Sequence, residues 1–257
     1  MPINKEIYKE YYPIGNLKLS KYMNFLKFIS MLKEKSLFFC RLDILEDKYE
    51  GVAPDTYYLR LFERFKRLQL TEKFEFKTDK EIWDCVMNIK NNDERIKSIQ
   101  LINCWHVFNE ESAAMWKIYA SFNEGIMIKS TVEKLEKALE NCSEDLFMGK
   151  VIYFDHETEL YSNNGLIDTI MHKHKLYSYE DEIRLIHILT DMEKGSQFDW
   201  NMESVKEGKY LKANLDTLID EIIISPYASD YFVDLVSDIT HQQYKIDKPV
   251  NKSRFSP

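Results

Sequence analysis

The chain has 257 residues and a formal net charge of -8; 44% of its residues are hydrophobic and 30% are charged. This length and composition favour a single α+β domain with insertions and argue against extensive disorder. General DNA binding is disfavoured, because proteins that contact many phosphates are usually basic.

The cysteines and the N-terminus indicate the compartment. Cys40, Cys85, Cys104 and Cys142 contain no CxxC spacing, which disfavours a zinc knuckle and fits a reducing cytosol. The N-terminal residues lack the apolar centre of a signal peptide, and no run approaches the ~18 apolar residues of a membrane span. We therefore expect a cytoplasmic protein with no membrane segment.

Hydrophobic periodicity predicts alternating strands and helices in the first half of the chain. The predicted elements are strands over 17–22, 36–42 and 98–108, and helices over 25–35, 54–70 and 78–89. Asn24 is the expected cap of the first helix, and Thr78 with Glu81 forms a capping box for the third. The helical stretch at about 52–97 is interpreted as an insertion between strands.

The second half continues without a regular βαβ alternation. The predicted elements are strands over 126–130, 149–154, 181–190 and 220–225, and helices over 111–122, 130–141, 158–172 and 229–244. Ser130 and Glu133 are the expected capping box of the helix over 130–141. The pattern predicts an α+β fold rather than a doubly wound sheet. We expect one domain over 1–250 and a flexible tail over 251–257.

The stretch YEDEIRLI (179–186) places three carboxylates at the mouth of a predicted strand. Because side chains alternate along a strand, Glu180, Glu182 and Arg184 share one face, while Ile183 and Leu185 face the core. One interpretation is an ion-pair pattern on a solvated strand end. The other is a carboxylate site that stabilises a developing cation or binds a sugar hydroxyl.

The stretch NCWHVF (103–108) and the helix after it supply a second candidate region. Trp105 and His106 face opposite sides of their strand, so one is expected in the core and the other in a cleft. Trp116 and Tyr119 share a helical face with Ser112. Trp116 fits an aromatic stripe packed on the sheet, whereas the Tyr119 hydroxyl could reach a pocket while its ring packs.

Several familiar motifs are missing. The turn LEDKYEG (45–51) does not have EF-hand spacing, and HKHK (172–175) lacks a third zinc ligand at a useful distance. The chain contains no glycine-rich phosphate loop and no GxSxG elbow. No metal is therefore predicted, and kinases, P-loop NTPases, Rossmann dehydrogenases and α/β-hydrolases are excluded on motif grounds.

Taken in order, several segments resemble the bacterial family of unknown function DUF2971. They are KYMNF, SLFFCRLDILEDKYEG, NCWHVFNEESAAMWKIYASFNEGIMIKS, GKVIYF and YSYEDEIRLI. The shared features are an Asp-(Pro)-x-Glu-Gly turn, a Met-Trp-x-x-Tyr-Ala helix followed by glycine, and a Tyr-Glu-x-Glu-x-Arg strand. The resemblance spans about residues 17–230. Lys48 stands where family members often have proline, which should loosen that turn.

The order of elements also resembles, more loosely, the ADP-ribosyltransferase superfamily. That resemblance implies a split sheet with flanking helices and NAD as co-substrate. It makes Glu182 the catalytic glutamate with Glu180 as its partner, and assigns the middle motif to residues 104–106, which include His106. The residues implied to line the NAD site are Lys21, Tyr22, Arg41, Trp105, Trp116, Tyr119 and Arg184.

These observations leave three functional hypotheses. The first is a transferase of bacterial conflict, a toxin or phage-defence effector, that moves ADP-ribose from NAD to a protein or nucleic acid. The second is a non-enzymatic module that binds or senses a nucleotide or peptide. The third is nucleic-acid processing through the basic residues Arg60, Arg64, Lys66 and Arg67. The macromolecular acceptor is open, and so is the oligomeric state, with a homodimer as one option.

Overall fold

A computed structural model describes residues 3–5, 9–47, 49–70, 76, 78–161, 165–191, 197–198 and 205–255. The strands are β1 (Ile3–Asn4), β2 (Lys18–Asn24), β3 (Ser36–Arg41), β4 (Gln100–Val107), β5 (Gly125–Thr131), β6 (Leu146–Lys150), β7 (Ile152–Phe154), β8 (His172–His174), β9 (Glu182–Ile188), β10 (Thr190–Asp191), β11 (Gln197–Phe198), β12 (Gly208–Lys212), β13 (Glu221–Ile224) and β14 (Val250–Lys252). The helices are α1 (Phe25–Glu34), α2 (Asp55–Gln69), α3 (Asp79–Ile96), α4 (Ala113–Tyr119), α5 (Val132–Ala138), α6 (Asp168–Met171), α7 (Leu215–Leu218) and α8 (Asp230–Asp238). The fold is therefore mixed α+β, as the sequence predicts.

One large mixed sheet organises the molecule. Its main path runs β1-β6-β9-β4-β2-β5-β13-β14, and β3 with β12 branches from β4. The pairs β1 with β6 and β13 with β14 are parallel, and the other pairs in this sheet are antiparallel. Strand β9 lies between β6 and β4, so both of its backbone edges are paired, and all seven of its residues are buried.

The sheet forks along one edge of β4. The end of β4 near His106 pairs with β2, whereas the end near Leu101 pairs with β3. Between these ladders, the Lys21 ammonium donates to the carbonyl of Cys104 (2.6 Å), and Asn103 donates to the carbonyl of Phe38 (2.8 Å). Side chains thus satisfy backbone groups that strand pairing leaves free at the fork.

Local signals set most element boundaries. Asn24 caps α1 by accepting the Lys27 N–H (2.9 Å), and Thr78 with Glu81 forms the predicted capping box of α3. Helix α5 differs from its prediction, because Thr131 is its cap. The Ser130 hydroxyl instead donates to the carbonyl of Leu218 (2.6 Å).

Helices α2 and α3 form a hairpin between β3 and β4 in chain order. The hairpin packs through Tyr58 and Val86 onto Phe154 and Tyr161, in an apolar cluster separate from the main core. Its predicted basic face is partly engaged, because Lys66 pairs with Asp79 (2.5 Å).

Two regions near the site depart from the predicted elements. The helix predicted over 158–172 is reduced to the single turn α6; residues 162–164 lie outside the described residues, as does Lys48. His172–His174 form the short strand β8, which pairs in parallel with β7. The strand Val250–Lys252, which extends into the expected tail, pairs with β13.

The main core lies between the sheet and the helices α1, α5, α7 and α8, and is built from branched aliphatic side chains with Trp105 and Phe28 at its centre. Within the described part of the chain, every helix is too short or too polar to span a bilayer.

Candidate functional site

Pairing between β4 and β9 sets the positions of the acidic strand residues. Glu182 lies opposite His106, and Arg184 lies opposite Cys104. Directly opposed residues project from the same face, so Glu182, Arg184 and His106 share one side of the sheet. Ile183 and Leu185 project to the other side and pack in the main core, as strand alternation predicts.

Glu180 also lies beside Glu182, but it does not belong to β9. It is not a strand residue, because a 3₁₀ turn, Lys175–Glu180, precedes β9. Asp181 then adopts a left-handed conformation (φ 39°), which aspartate tolerates better than most residues. This reversal aims the Glu180 side chain back toward Glu182, although the two residues belong to different elements.

Lys173 of β8 joins the two carboxylates. Its ammonium lies 2.5 Å from Glu180 Oε2 and 3.0 Å from Glu182 Oε1, and 3.6 Å from Glu50 Oε1. All four side chains are buried. One cation therefore holds acids from three separate segments.

Arg184 completes the arrangement and is fully buried. Its Nε donates to Glu182 Oε2 (2.6 Å), and one terminal nitrogen donates to the carbonyl of Ile170 (2.6 Å). The other terminal nitrogen donates to Glu50. We call Glu50, Lys173, Glu180, Glu182 and Arg184 the buried network.

The two strand-mouth glutamates have opposite electrostatic environments. Burial and the neighbouring Glu182 raise the pKa of Glu180 from 4.5 to about 7, against the opposing effect of Lys173. Burial also disfavours the charge on Glu182, but Arg184 and Lys173 outweigh it and hold the pKa of Glu182 well below its ordinary value. Glu182 is therefore ionised at neutral pH, whereas the raised pKa of Glu180 lies near neutral pH.

The network reaches the surface through Tyr119. The Tyr119 hydroxyl donates to Glu180 Oε1, while 36% of the tyrosine is exposed. Lys173 lies 4.8 Å from the ring centroid of the partly buried Tyr177, a second aromatic contact on this side. Glu180 is therefore one hydrogen bond from a partly exposed tyrosine.

His106 lies beside Glu180 and Tyr119. Its Nδ1 lies 2.8 Å from the carbonyl of Glu180, so Nδ1 carries the proton and donates. Burial lowers the pKa of His106 to about 4, so the ring is neutral at pH 7 and Nε2 is an acceptor. Tyr119 and Tyr22 flank the imidazole at centroid distances of 5.4 and 6.0 Å.

The structure brings together some of the sequence-predicted site residues and disperses the rest. Glu180, Glu182, His106, Tyr119 and Arg184 form one region, and Tyr22 borders it.

The other predicted residues make their direct contacts outside the buried network. Trp116 packs edge-on against Tyr22, and Trp105 is buried in the main core, where its indole donates to Asn103 (2.8 Å). Lys21 lies over the ring of Trp105, at the fork of the sheet, and burial lowers its pKa to about 8. Arg41 pairs with Asp43 (2.6 Å) near the opposite end of β4.

Sequence reasoning missed Glu50 and Lys173. Glu50 precedes Gly51 in the acidic turn over 45–51, whose spacing does not fit an EF-hand. Gly51 has φ 74°, and a Cβ there would lie 2.3 Å from the Leu42 side chain, so the turn that aims Glu50 inward requires glycine. Lys173 lies between His172 and His174, and strand alternation could have indicated that it faces away from both.

The network is not arranged as a metal site. Over the described residues, no group of three or more His, Cys, Asp and Glu side chains has the arrangement needed to hold a metal ion. Lys173 and Arg184 occupy the positions between the three carboxylates, so two side-chain cations already stand where a metal ion would bind.

Comparison with known families matches part of the chain. The model of the family described as "Protein of unknown function (DUF2971)" matches residues 115–185, which confirms the resemblance over that segment. The segment contains Tyr119 and the four network residues other than Glu50. No curated protein and no solved structure matches the chain.

Proposed function

We propose that the protein is a transferase of ADP-ribosyl type that uses NAD as co-substrate, with Glu180 as the carboxylate that meets the substrate. The observation that carries this proposal is the pair Glu180 and Glu182, held by one lysine beside a partly exposed tyrosine and a neutral histidine. Groups with strongly perturbed ionisation cluster at functional sites. The forked sheet is compatible with the split sheet that the looser resemblance implies.

Hydrogen-bond partners and charge, rather than accessibility, give the two glutamates different roles, because Glu182 and Glu180 are 3% and 2% exposed. The resemblance assigns catalysis to Glu182, but both oxygens of Glu182 accept from the buried cations Lys173 and Arg184. Glu180 instead accepts from Lys173 and from the partly exposed Tyr119. We infer that Glu182 is a positioning residue that fixes Lys173 and raises the pKa of Glu180. Glu180 contacts Tyr119 and so is the acid closest to a bound substrate.

Transfer of ADP-ribose from NAD requires little more from the protein than a positioned base and a negative charge. Breaking the bond between C1′ and the nicotinamide nitrogen sends the bonding electrons to nicotinamide and leaves positive charge on the ribose. The ionised Glu180 stabilises that charge and then accepts the proton of the attacking hydroxyl or amine. The acceptor can belong to a protein or a nucleic acid, as the conflict role requires.

A second function, a binding or sensing module, is favoured by the complete pairing of Glu182 and Arg184. A network with every strong donor and acceptor satisfied can serve as scaffold alone. In that case a nucleotide would bind against Tyr119 and His106 without being consumed. Such a ligand would raise the melting temperature at constant ligand concentration.

The test is release of nicotinamide from NAD by the purified chain, followed by proton NMR. We expect turnover in the wild type, a loss of about 100-fold or more in Glu180→Gln, and a smaller loss in Tyr119→Phe. The matched control is Glu221→Gln, because Glu221 is a partly buried acid on β13 that pairs with Lys129 outside this region.

Each result decides between the two functions. Wild-type inactivity, together with a melting temperature that NAD raises, would replace the transferase by the binding module. Equal turnover in wild type and Glu180→Gln would remove Glu180 from the chemistry. Circular dichroism of each variant confirms that the fold is retained.

A further inference from the structure

A cavity lies at the opposite end of β9 from the buried network. Its volume is about 310 Å³, at the lower end of the range for small-molecule sites. Phe147, Leu166, Ile188 and Phe198 supply apolar walls, and His187 and Glu144 supply polar groups. None of these residues belongs to the buried network.

His187 presents an unused acceptor in this cavity. The residue is 4% exposed, and its Nδ1 lies 3.0 Å from the carbonyl of Asp145, so Nδ1 carries the proton. Burial lowers the pKa of His187, which keeps the ring neutral and leaves a lone pair on Nε2. His187 lines the cavity, so a donor placed there can reach this nitrogen.

The polar neighbour of that nitrogen is another acceptor. Glu144 Oε2 lies 3.5 Å from His187 Nε2, too far for a hydrogen bond. A neutral imidazole nitrogen and a carboxylate oxygen repel each other across this gap. A donor that bonds to both would remove the repulsion, and an ammonium group carries three donors.

The local charge fits a single positive charge. Glu144 and Asp145 line the cavity, and Lys209 neutralises one of them through Glu144 Oε1 (2.7 Å). With His187 neutral, the remaining charge is about one negative unit. The apolar walls then suit a compact hydrocarbon or aromatic body attached to the cation.

We propose that this cavity binds a small organic monocation, a primary ammonium with an apolar body, through Glu144 and His187 Nε2. The ammonium bridges the two acceptors and its body packs against Phe147 and Ile188. This site is independent of the transferase proposal.

The probe for this test is 2-phenylethylammonium, with the uncharged 2-phenylethanol as its matched control. The full chain, labelled at isoleucine methyl groups, is titrated at pH 7.5 and followed by NMR at Ile167 and Ile188, which line the cavity. We expect saturable shifts with the ammonium and none with the alcohol. Glu144→Gln should weaken binding about tenfold, since the glutamine oxygen still accepts a hydrogen bond but the carboxylate charge is lost.

A second variant should change the affinity for the probe in the opposite direction. Lys209→Met removes the competing cation from Glu144, so the probe should bind more tightly, by up to about fivefold. Failure of the wild type to bind, equal binding of the alcohol, or weaker binding in Lys209→Met would each overturn the proposal. Because the readout is binding rather than NAD turnover, its failure is distinct from that of the transferase.

Discussion

The buried network and the α2–α3 hairpin both pair a basic with an acidic side chain at similar distances, but in opposite environments. In the hairpin, Lys90 lies 2.6 Å from Asp55, and 80% of the Asp55 side chain is exposed. In the network, Arg184 Nε lies 2.6 Å from Glu182 with both side chains buried. Since water screens the first pair and not the second, distance alone does not indicate what an ion pair contributes.

The difference also concerns what happens when one partner is removed. A surface ion whose partner is lost becomes hydrated at little cost. A buried ion has no water to replace its partner, so the remaining charge carries its full desolvation cost. The network is thus fragile toward truncation, whereas the hairpin pairs are replaceable.

The largest expected effect is that of Arg184→Met. This change leaves Glu182 and Glu50 without their shared guanidinium and the Ile170 carbonyl without a donor. We expect the free energy of unfolding to fall by about 3–5 kcal/mol. Urea denaturation at pH 7, followed by circular dichroism, measures it.

Arg184→Lys is the matched variant. It keeps the charge but lacks the planar fork that reaches three acceptors at once. Its loss of stability should be smaller than that of Arg184→Met. A loss under about 1 kcal/mol in Arg184→Met would mean that the network behaves like the surface pairs.

The next effect concerns pH. The pKa of Glu180 is raised from 4.5 to about 7 in the folded state, so between these values the native protein binds more protons than the unfolded chain. The contribution of Glu180 to stability is therefore fully present below pH 4.5 and is lost as pH rises through 7. The expected loss is on the order of 2 kcal/mol.

Glu180→Gln should remove this slope, and unfolding measured at pH 5 and pH 8 checks it. Glu182 does not obscure the result, because its pKa is lowered. Its contribution is present above pH 4.5 and is lost only as the pH falls below that value. If wild type and Glu180→Gln lose stability equally between pH 5 and 8, Glu180 is ionised across the range.

Local sequence patterns were sufficient to predict most strands and the side chains that share one face of the site. Period-two alternation correctly put Ile183 in the core and Glu182 with Arg184 on the other side. The capping box at Thr78 likewise predicted where α3 begins. Both are local signals, which depend only on neighbouring residues.

The network itself could not be predicted by local reasoning. A glycine turn brings Glu50 to Arg184, and a three-residue strand brings Lys173 to Glu182. The Glu50–Arg184 contact spans 134 residues of sequence, and such a contact leaves no periodicity. Glu180 lies beside Glu182 as predicted, but the predicted reason, a continuous strand through both residues, was wrong. The left-handed conformation of Asp181 brings the two side chains together instead. Whether the site transfers ADP-ribose remains a prediction.

The smallest effect should be that of Lys90→Met on the hairpin. The substitution removes the pair with Asp55 and a cation over the ring of Tyr58 at 5.4 Å, while the methionine stem keeps most of the apolar contact. We expect a change of about 0.5 kcal/mol or less in the free energy of unfolding. Repeating the urea titration at 1 M NaCl should shrink the difference further, because salt screens exposed charges. A salt-insensitive loss as large as that of Arg184→Met would show that the two regions obey the same energetics, and the contrast between them would have to be abandoned.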